Sequence, residues 1–171
     1  MEEKIALVDL DDNITGYATK AEVHSKGLLH RAFSVFIVND GKMLIQMRNP
    51  DKYHSGGLWS NACCSHQREN EVLAESVHRR MEEEIGFDCE LEEKFSFVYR
   101  TQFRHDLIEY EFDHVFVGSY AGDVRVNPEE ASEIRWVPFA QLKDELVRTP
   151  ERFSSWFIIC APKVIAGCEA G

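Results

Sequence analysis

Asn70-Glu71-Val72-Leu73-Ala74-Glu75-Ser76-Val77-His78-Arg79-Arg80-Met81-Glu82-Glu83-Glu84-Ile85-Gly86-Phe87 is the stretch whose reading decides the fold. Its apolar residues recur at Val72/Leu73, Val77, Met81 and Ile85, a step near four residues. That is one buried stripe of a helix. Asn70 reads as the N-cap, with acidic Glu69 and Glu71 beside it at the positive end of the dipole, and Gly86 reads as the residue that ends the helix. Arg79, Arg80, Glu83 and Glu84 straddle two faces next to Met81 and Ile85, so some of this charge is expected near a sheet edge. A glutamate there can hold Mg²⁺, which favours carboxylate oxygens and substrate phosphates.

Shortly before this helix stands Cys63-Cys64-Ser65-His66, and further out lie His24, His30 and the alternating Glu109-Tyr110-Glu111. Strand residues two apart share a face, so Glu109 and Glu111 project together. Side-by-side carboxylates repel unless a cation sits between them or one is protonated. An isolated Glu-x-Glu is more often a solvated sheet face, but His24, His30 and His66 supply partners for a metal shell. His54, His78, His105 and His114 read as surface or satisfied polar groups. Cys63 and Cys64 should point in opposite directions, one of them into packing. No second Cys-x-x-Cys pair exists for a structural zinc site. Lys20, Arg48 and Lys52 are scattered cations that suit a diphosphate.

The flanking sequence predicts strands over Ile5–Leu10, Phe33–Val38 and Met43–Arg48, the last two joined by an Asn39-Asp40-Gly41-Lys42 turn. Residues 49–60 read as loop. Phe95–Phe103 and Leu107–Val117 read as a strand pair, and Glu133–Val137 as a short strand. Helices are expected from Pro138 to about Val147 and over Phe153–Ala166. Strands mixed with a few helices predict an α/β sandwich, a mixed sheet covered by helices, in a single domain over residues 1–171.

The 171 residues are 44% hydrophobic and 29% charged, which is ordinary for a soluble domain. A net charge of −11 repels phosphate backbones and speaks against nucleic acid as a partner. The start, Met1-Glu2-Glu3-Lys4, is acidic and has no apolar core of signal-peptide length. No apolar run is long enough for a bilayer, so no membrane partner is expected. Five cysteines without a regular framework fit free thiols in a reducing cytoplasm. The sequence carries no signal for an oligomeric state.

The helix resembles the Nudix box, G-x5-E-x7-R-E-U-x-E-E-x-G-U. The matching positions are Ser65, Glu71, Arg79, Arg80, Met81, Glu83, Glu84, Gly86 and Phe87, and the chain departs at Ser65 and Arg80. The pattern normally has glutamate where Arg80 stands, and that glutamate helps hold the metals of diphosphate hydrolases. His30-Arg31-Ala32-Phe33-Ser34, Trp59-Ser60-Asn61-Ala62-Cys63-Cys64-Ser65-His66 and Glu109-Tyr110-Glu111 resemble the type 1 isopentenyl-diphosphate isomerases, over about residues 5–160. The resemblance implies a Nudix-type α/β/α sandwich with a mixed β-sheet. It implies an isomerase that moves a double bond between isopentenyl and dimethylallyl diphosphate.

It also implies roles. His24, His30, His66, Glu109 and Glu111 match a divalent-metal site, Cys64 an essential cysteine, Tyr99 a tyrosine near the second carboxylate, and Trp156 an active-site tryptophan. Glu84 matches a ligand of a Mg²⁺ that arrives with the diphosphate, and Lys20, Arg48, Lys52, Ser65 and Arg80 match the diphosphate-binding positions. The His/Glu set accepts Mn²⁺, Zn²⁺, Fe²⁺ or Mg²⁺. The direction of proton transfer is open at this level; the favoured assignment puts Glu111 with Tyr99 on the donor side and Cys64 on the acceptor side. Two rivals stand beside it, a Nudix hydrolase and a non-catalytic metal-binding domain.

Overall fold

A computed structural model describes residues 2–171; Met1, the first residue of the expected single domain and of its acidic start, lies outside the described residues. Strand β3 (His30–Asn39) organises the rest. Its residues Phe33, Val35, Ile37 and Phe36 are all fully buried, so both of its faces are covered. Phe33, Val35 and Ile37 pack with Val77, Met81 and Ile85 of helix α2 (Leu73–Ile85). Phe36 packs on the other face with Leu142 of α3 (Phe139–Arg148) and Phe157 and Ala161 of α4 (Ser155–Ala170). The result is the expected helix–sheet–helix sandwich.

The sheet is mixed. β3 runs parallel to β8 (Ile108–Ser119) from His30↔Glu111 to Val38↔Ser119, and β7 (Glu92–Gln102) pairs antiparallel with β8. On its other side β3 meets three partners, touching β1 (Lys4–Val8) at Leu7↔His30 and then two longer neighbours. Its end pairs with β4 (Lys42–Arg48) only over Ile37–Asn39, while Ala32–Val35 pair with β6 (Cys63–His66). β4 turns away to pair with β5 (Trp59–Ser60) and β9 (Ala131–Pro138). The strands therefore part beyond the tight Asn39–Lys42 turn, and a cleft opens where they separate.

Several expectations need correction, among them the loop over residues 49–60, whose last two residues form β5. The first strand, β1, spans Lys4–Val8 and stops there because the Asp9 carboxylate accepts from the Asp11 and Asn13 amides. Residues 14–26 form a strand and a helix the sequence pattern did not reveal, β2 (Ile14–Thr19) and α1 (Lys20–Lys26). α1 has seven residues and buries only Val23 and His24, too short a stripe for periodicity to register. Asn70 does not cap α2; it sits at φ 70° in the preceding turn, and Val72 occupies the cap. The capping work passes to acids: Glu75 accepts from the Val72 amide, and Glu71 from the Arg68 amide and the Ser76 hydroxyl. The last helix starts two residues late, behind a 3₁₀ turn at Pro150–Arg152, and runs on to Ala170. Gly86 ends α2 as expected: its φ is 75°, and a Cβ there would stand 2.9 Å from Arg125.

Candidate active site

The cleft is a cavity of about 530 Å³, open at its mouth. One end is built of imidazoles and carboxylates. α1 supplies His24, β3 His30, β6 His66, and β8 Glu109 and Glu111. Reactive nitrogens of His24, His30 and His66 all come within 4.8 Å of one another. The ring orientations are fixed from behind. His24 Nδ1 lies 2.7 Å from the Lys20 carbonyl and His30 Nδ1 2.9 Å from the Leu28 carbonyl. A carbonyl can only accept, so each Nδ1 carries a proton; a neutral ring then presents an Nε2 lone pair to the cleft, and a charged His30 instead turns Nε2–H towards Glu111. His24 Nε2 is buried without a hydrogen-bond partner. Lone pairs aimed together, backed by carbonyls, are what a divalent cation requires.

The two carboxylates differ. Burial alone would raise the Glu111 carboxyl, but the close His30 and His66 imidazoles, at 3.3 and 3.1 Å, hold it well below the ordinary carboxylate range. Burial and the neighbouring Glu111 charge push Glu109 well up. Tyr99 stands opposite Glu111 in the strand ladder, yet its hydroxyl hydrogen-bonds to Glu109 Oε1. The expected pairing of Tyr99 with the second carboxylate is thus corrected: it serves the first. Burial pushes His24 down to about 4 and His66 down to about 3.

The other end is cationic. Lys20, Arg48, Lys52, Ser65, Arg80 and Glu84 all line the cavity. Arg80 comes from α2, Arg48 from the end of β4, and Lys52 from the loop that follows it. Lys52 and Arg80 both pair with Glu130, an acid the sequence reading missed because it sits in an irregular segment. Burial pushes the Glu84 carboxyl up, with Arg80 opposing, and Glu84 Oε2 is buried without a partner. Burial also lowers the Lys20 ammonium, and nearby Lys52 and Arg48 add to this.

The adjacent thiols face opposite ways, as strand geometry requires. Cys63 is fully buried and packs with Val77 and Met81. Cys64 lines the cavity. Burial pushes its thiol up to about 12, and Arg48, with Nη1 3.7 Å from Sγ, works against this. Trp156 reaches in from α4 with its indole N–H donating to Asn61 at 2.9 Å. One face of the ring carries the Arg48 guanidinium, 5.0 Å from the centroid.

All fourteen residues singled out from the sequence are therefore near this cleft or in contact with its lining. Besides Glu130, two others were missed. His54, read as an unremarkable surface group, contacts Glu109 at 2.7 Å. Nothing in its loop sets it apart from His78 or His105; the one available cue is its nearness to Lys52. Asp113 continues the same-face alternation of Glu109 and Glu111 and is buried below them, accepting from the Ser34 hydroxyl at 2.8 Å. That alternation was visible and could have been extended one step.

Residues 28–157 match the NUDIX domain family model. The chain is 48% identical over 167 residues to isopentenyl-diphosphate Delta-isomerase 2 of Aromatoleum aromaticum, covering 97% of this chain and 88% of that one. It is 48% identical over 159 residues to isopentenyl-diphosphate Delta-isomerase of Serratia proteamaculans, covering 92% and 89%. Among solved structures it is similar to a Deinococcus radiodurans protein, with a TM-score of 0.76 at 17% identity over 97% of this chain and 99% of that one. A MutT protein of Methanosarcina mazei follows the same fold, with a TM-score of 0.60 at 20% identity over 76% and 88%.

Proposed function

The chain belongs to the NUDIX family and, within it, to the isopentenyl-diphosphate Delta-isomerases, and from that premise we propose how its cleft divides the work. The enzyme interconverts isopentenyl and dimethylallyl diphosphate with the help of a divalent metal. The single observation that carries the site assignment is that Glu111 and Cys64, from strands on either side of β3, open into one cavity that Lys20, Arg48, Lys52 and Arg80 also line.

In our reading Lys20, Arg48, Lys52, Ser65 and Arg80 bind the diphosphate. Glu84, with a free buried oxygen, holds the Mg²⁺ that accompanies it. His24, His30, His66, Glu109 and Glu111 hold the second cation, for which Mn²⁺, Zn²⁺, Fe²⁺ and Mg²⁺ are the candidates. A cation there supplies Lewis acidity, making a carboxylic acid beside it a stronger donor. The hydrocarbon tail then lies between Glu111 and Cys64.

An unactivated alkene is a poor base, so the donor must be strong and the developing tertiary cation kept dry. Glu111, seldom protonated but a strong acid when it is, delivers a proton to C4, and Cys64 takes one from C2. Burial makes the Cys64 thiolate scarce but strongly basic, and Arg48 offsets its charge. Tyr99, hydrogen-bonded to Glu109, steadies the carboxylate pair on the donor side. The Trp156 ring stabilises the cation through its quadrupole, worth roughly 2 kcal/mol in a dry site. The cytoplasm is the proposed location, since all five cysteines are free; among the described residues no helix is long and apolar enough to cross a membrane.

The test is isomerisation of isopentenyl diphosphate with Mg²⁺ in deuterium oxide, followed by NMR. Wild-type product should carry deuterium at C4 and exchange hydrogen at C2. Glu111→Gln should stop incorporation, because an amide cannot protonate an alkene. Unlabelled product from active wild-type enzyme, or full labelling by Glu111→Gln, refutes the proton-transfer assignment.

A further inference from the structure

The loop between β4 and β5 places one imidazole, His54, in the wall of the cavity, and neither proton transfer nor diphosphate binding uses it. Its surroundings are unusually determined for a loop side chain. The ring stacks on Phe103 at 4.5 Å and 9°, and meets Trp156 edge-on at 5.9 Å and 89°. Its backbone carbonyl accepts from Arg48 Nη2 at 3.4 Å. Ser55, next in sequence, has φ 56°, a left-handed conformation that residues with side chains seldom adopt. That turn sets the Ser55 hydroxyl 3.1 Å from His54 Nδ1.

His54 differs from the ligand histidines in what stands behind it. His24 and His30 have carbonyls at Nδ1, which leaves their Nε2 lone pairs for a cation. His54 has a hydroxyl at Nδ1, which can donate, and a carboxylate oxygen, Glu109 Oε2, 2.7 Å from Nε2. The arrangement is satisfied when Ser55 donates to Nδ1 and Nε2–H donates to Glu109. Tyr99 holds the other oxygen of the same carboxylate. Glu109 is therefore gripped at both oxygens, by a tyrosine from β7 and a histidine from the loop.

We propose that His54 is a positioning residue, whose Nε2–H fixes the rotation of the Glu109 carboxylate so that it ligates the cation together with His24, His30, His66 and Glu111. This rests on the reading of Glu109 as a ligand. Hydrogen-bond partners of ligating groups typically govern metal affinity by about 10- to 100-fold. His54 touches none of the diphosphate cations through its ring, so its loss should spare the KM for isopentenyl diphosphate.

Three variants separate the donor from the ring. In His54→Ala, Mn²⁺ affinity measured by equilibrium dialysis should fall by about 10- to 100-fold, and kcat at fixed limiting Mn²⁺ should fall with it, at unchanged KM. His54→Phe keeps the stack on Phe103 and should show the same loss. His54→Gln puts an amide N–H near the Nε2 position and should recover affinity to within about threefold, the scatter expected of such contributions. Wild-type Mn²⁺ binding by His54→Phe, or a His54→Gln as impaired as His54→Ala, overturns the proposal. Glu109→Gln is the control for the underlying reading. If it keeps full Mn²⁺, Glu109 is not a ligand and the site assignment fails. If it loses Mn²⁺ while all three His54 variants bind normally, only the role of His54 fails.

Discussion

Removing the Arg80 guanidinium tests how the helix is held at the cleft. Arg80 lies 3.2 Å from Glu84, 3.1 Å from Glu130 and 2.8 Å from Glu83. The Arg80, Glu84 and Glu130 side chains are 14%, 5% and 16% exposed, whereas Glu83 is 40% exposed and its pair is screened. Two charges at the Glu84 separation attract by about 5 kcal/mol at an effective dielectric of 20, before desolvation is subtracted. Arg80→Gln leaves Glu84 buried without a counter-charge, a change that should cost about 3 kcal/mol. Glu130 keeps Lys52 and should suffer less. Glu84→Gln alone should cost about 1 kcal/mol, since Arg80 retains two partners, and the double variant about 2 rather than 4 kcal/mol. The coupling is then about 2 kcal/mol. Urea unfolding followed by circular dichroism in EDTA reads it directly, because 3 kcal/mol moves the midpoint by about 1.5 M at a slope near 2 kcal/mol/M. A coupling below about 0.5 kcal/mol would refute the argument that Arg80 is there to neutralise Glu84.

Cys64→Ser should abolish isomerisation at an unchanged melting temperature, because a hydroxyl does not take carbon-bound protons near neutral pH, while Cys63→Ser should keep most activity; equal losses would mean that the wrong thiol has been assigned. Glu84→Gln should raise the Mg²⁺ concentration needed for half-maximal rate without releasing the cation of the His/Glu site, and an unchanged Mg²⁺ dependence in steady-state assays would return Glu84 to a merely structural role. Acid should weaken the fold through Glu71. Burial acts to raise its carboxyl, but Arg79 and Ser76 outweigh this and bring it from the usual 4.5 down to about 2. A depressed carboxyl contributes stability that is present above 4.5 and lost as pH falls towards 2, and after solvent screening this is worth about 1–2 kcal/mol. In Glu71→Gln the urea midpoint should be lower at pH 7 and flatter with pH across that window; a wild-type profile would show that the Arg79 contact contributes nothing.

The parts that could be read from the sequence share a physical property: a pattern long enough to repeat. α2 carries its stripe over Val77, Met81 and Ile85, and β3 and β8 are runs of β-branched and aromatic residues, so their existence followed, as did the β7–β8 pair; the long parallel pairing of β3 with β8 did not, because it joins segments about 80 residues apart. α1 could not be read because seven residues give one turn of burial, although it delivers both Lys20 and His24. Asn70 failed as a cap because propensity competes locally, and the Glu71 carboxylate, tied to Arg79, organises the turn instead. Tyr99 illustrates the limit for strands. Register puts it opposite Glu111, but a tyrosine is long enough to reach the diagonal neighbour, and no alternation rule says which carboxylate it will choose. His54 is a loop residue whose contacts with Phe103, Glu109 and Trp156 arise only when the turn after β7, β8 and α4 are assembled around it.

Arg80 changes what this end of the Nudix helix can hold. With a glutamate in its place, the helix would aim three carboxylates, the new one and those of Glu83 and Glu84, at one end of the cleft, a density of negative charge that only several cations could satisfy. Arg80 supplies the opposite sign at that point and engages Glu83, Glu84 and Glu130. What remains free is a single buried oxygen on Glu84 beside Lys52, Arg48 and Lys20. On the reading proposed above, such an end holds a diphosphate and one companion cation and offers little with which to activate a water against phosphorus. The histidines and carboxylates gather elsewhere in the same cavity, and Cys64 and Trp156 stand with Arg48 in its wall. In the proposed assignment the Nudix helix is therefore an anchor, and the chemistry lies along the substrate at its double bond rather than at its phosphates.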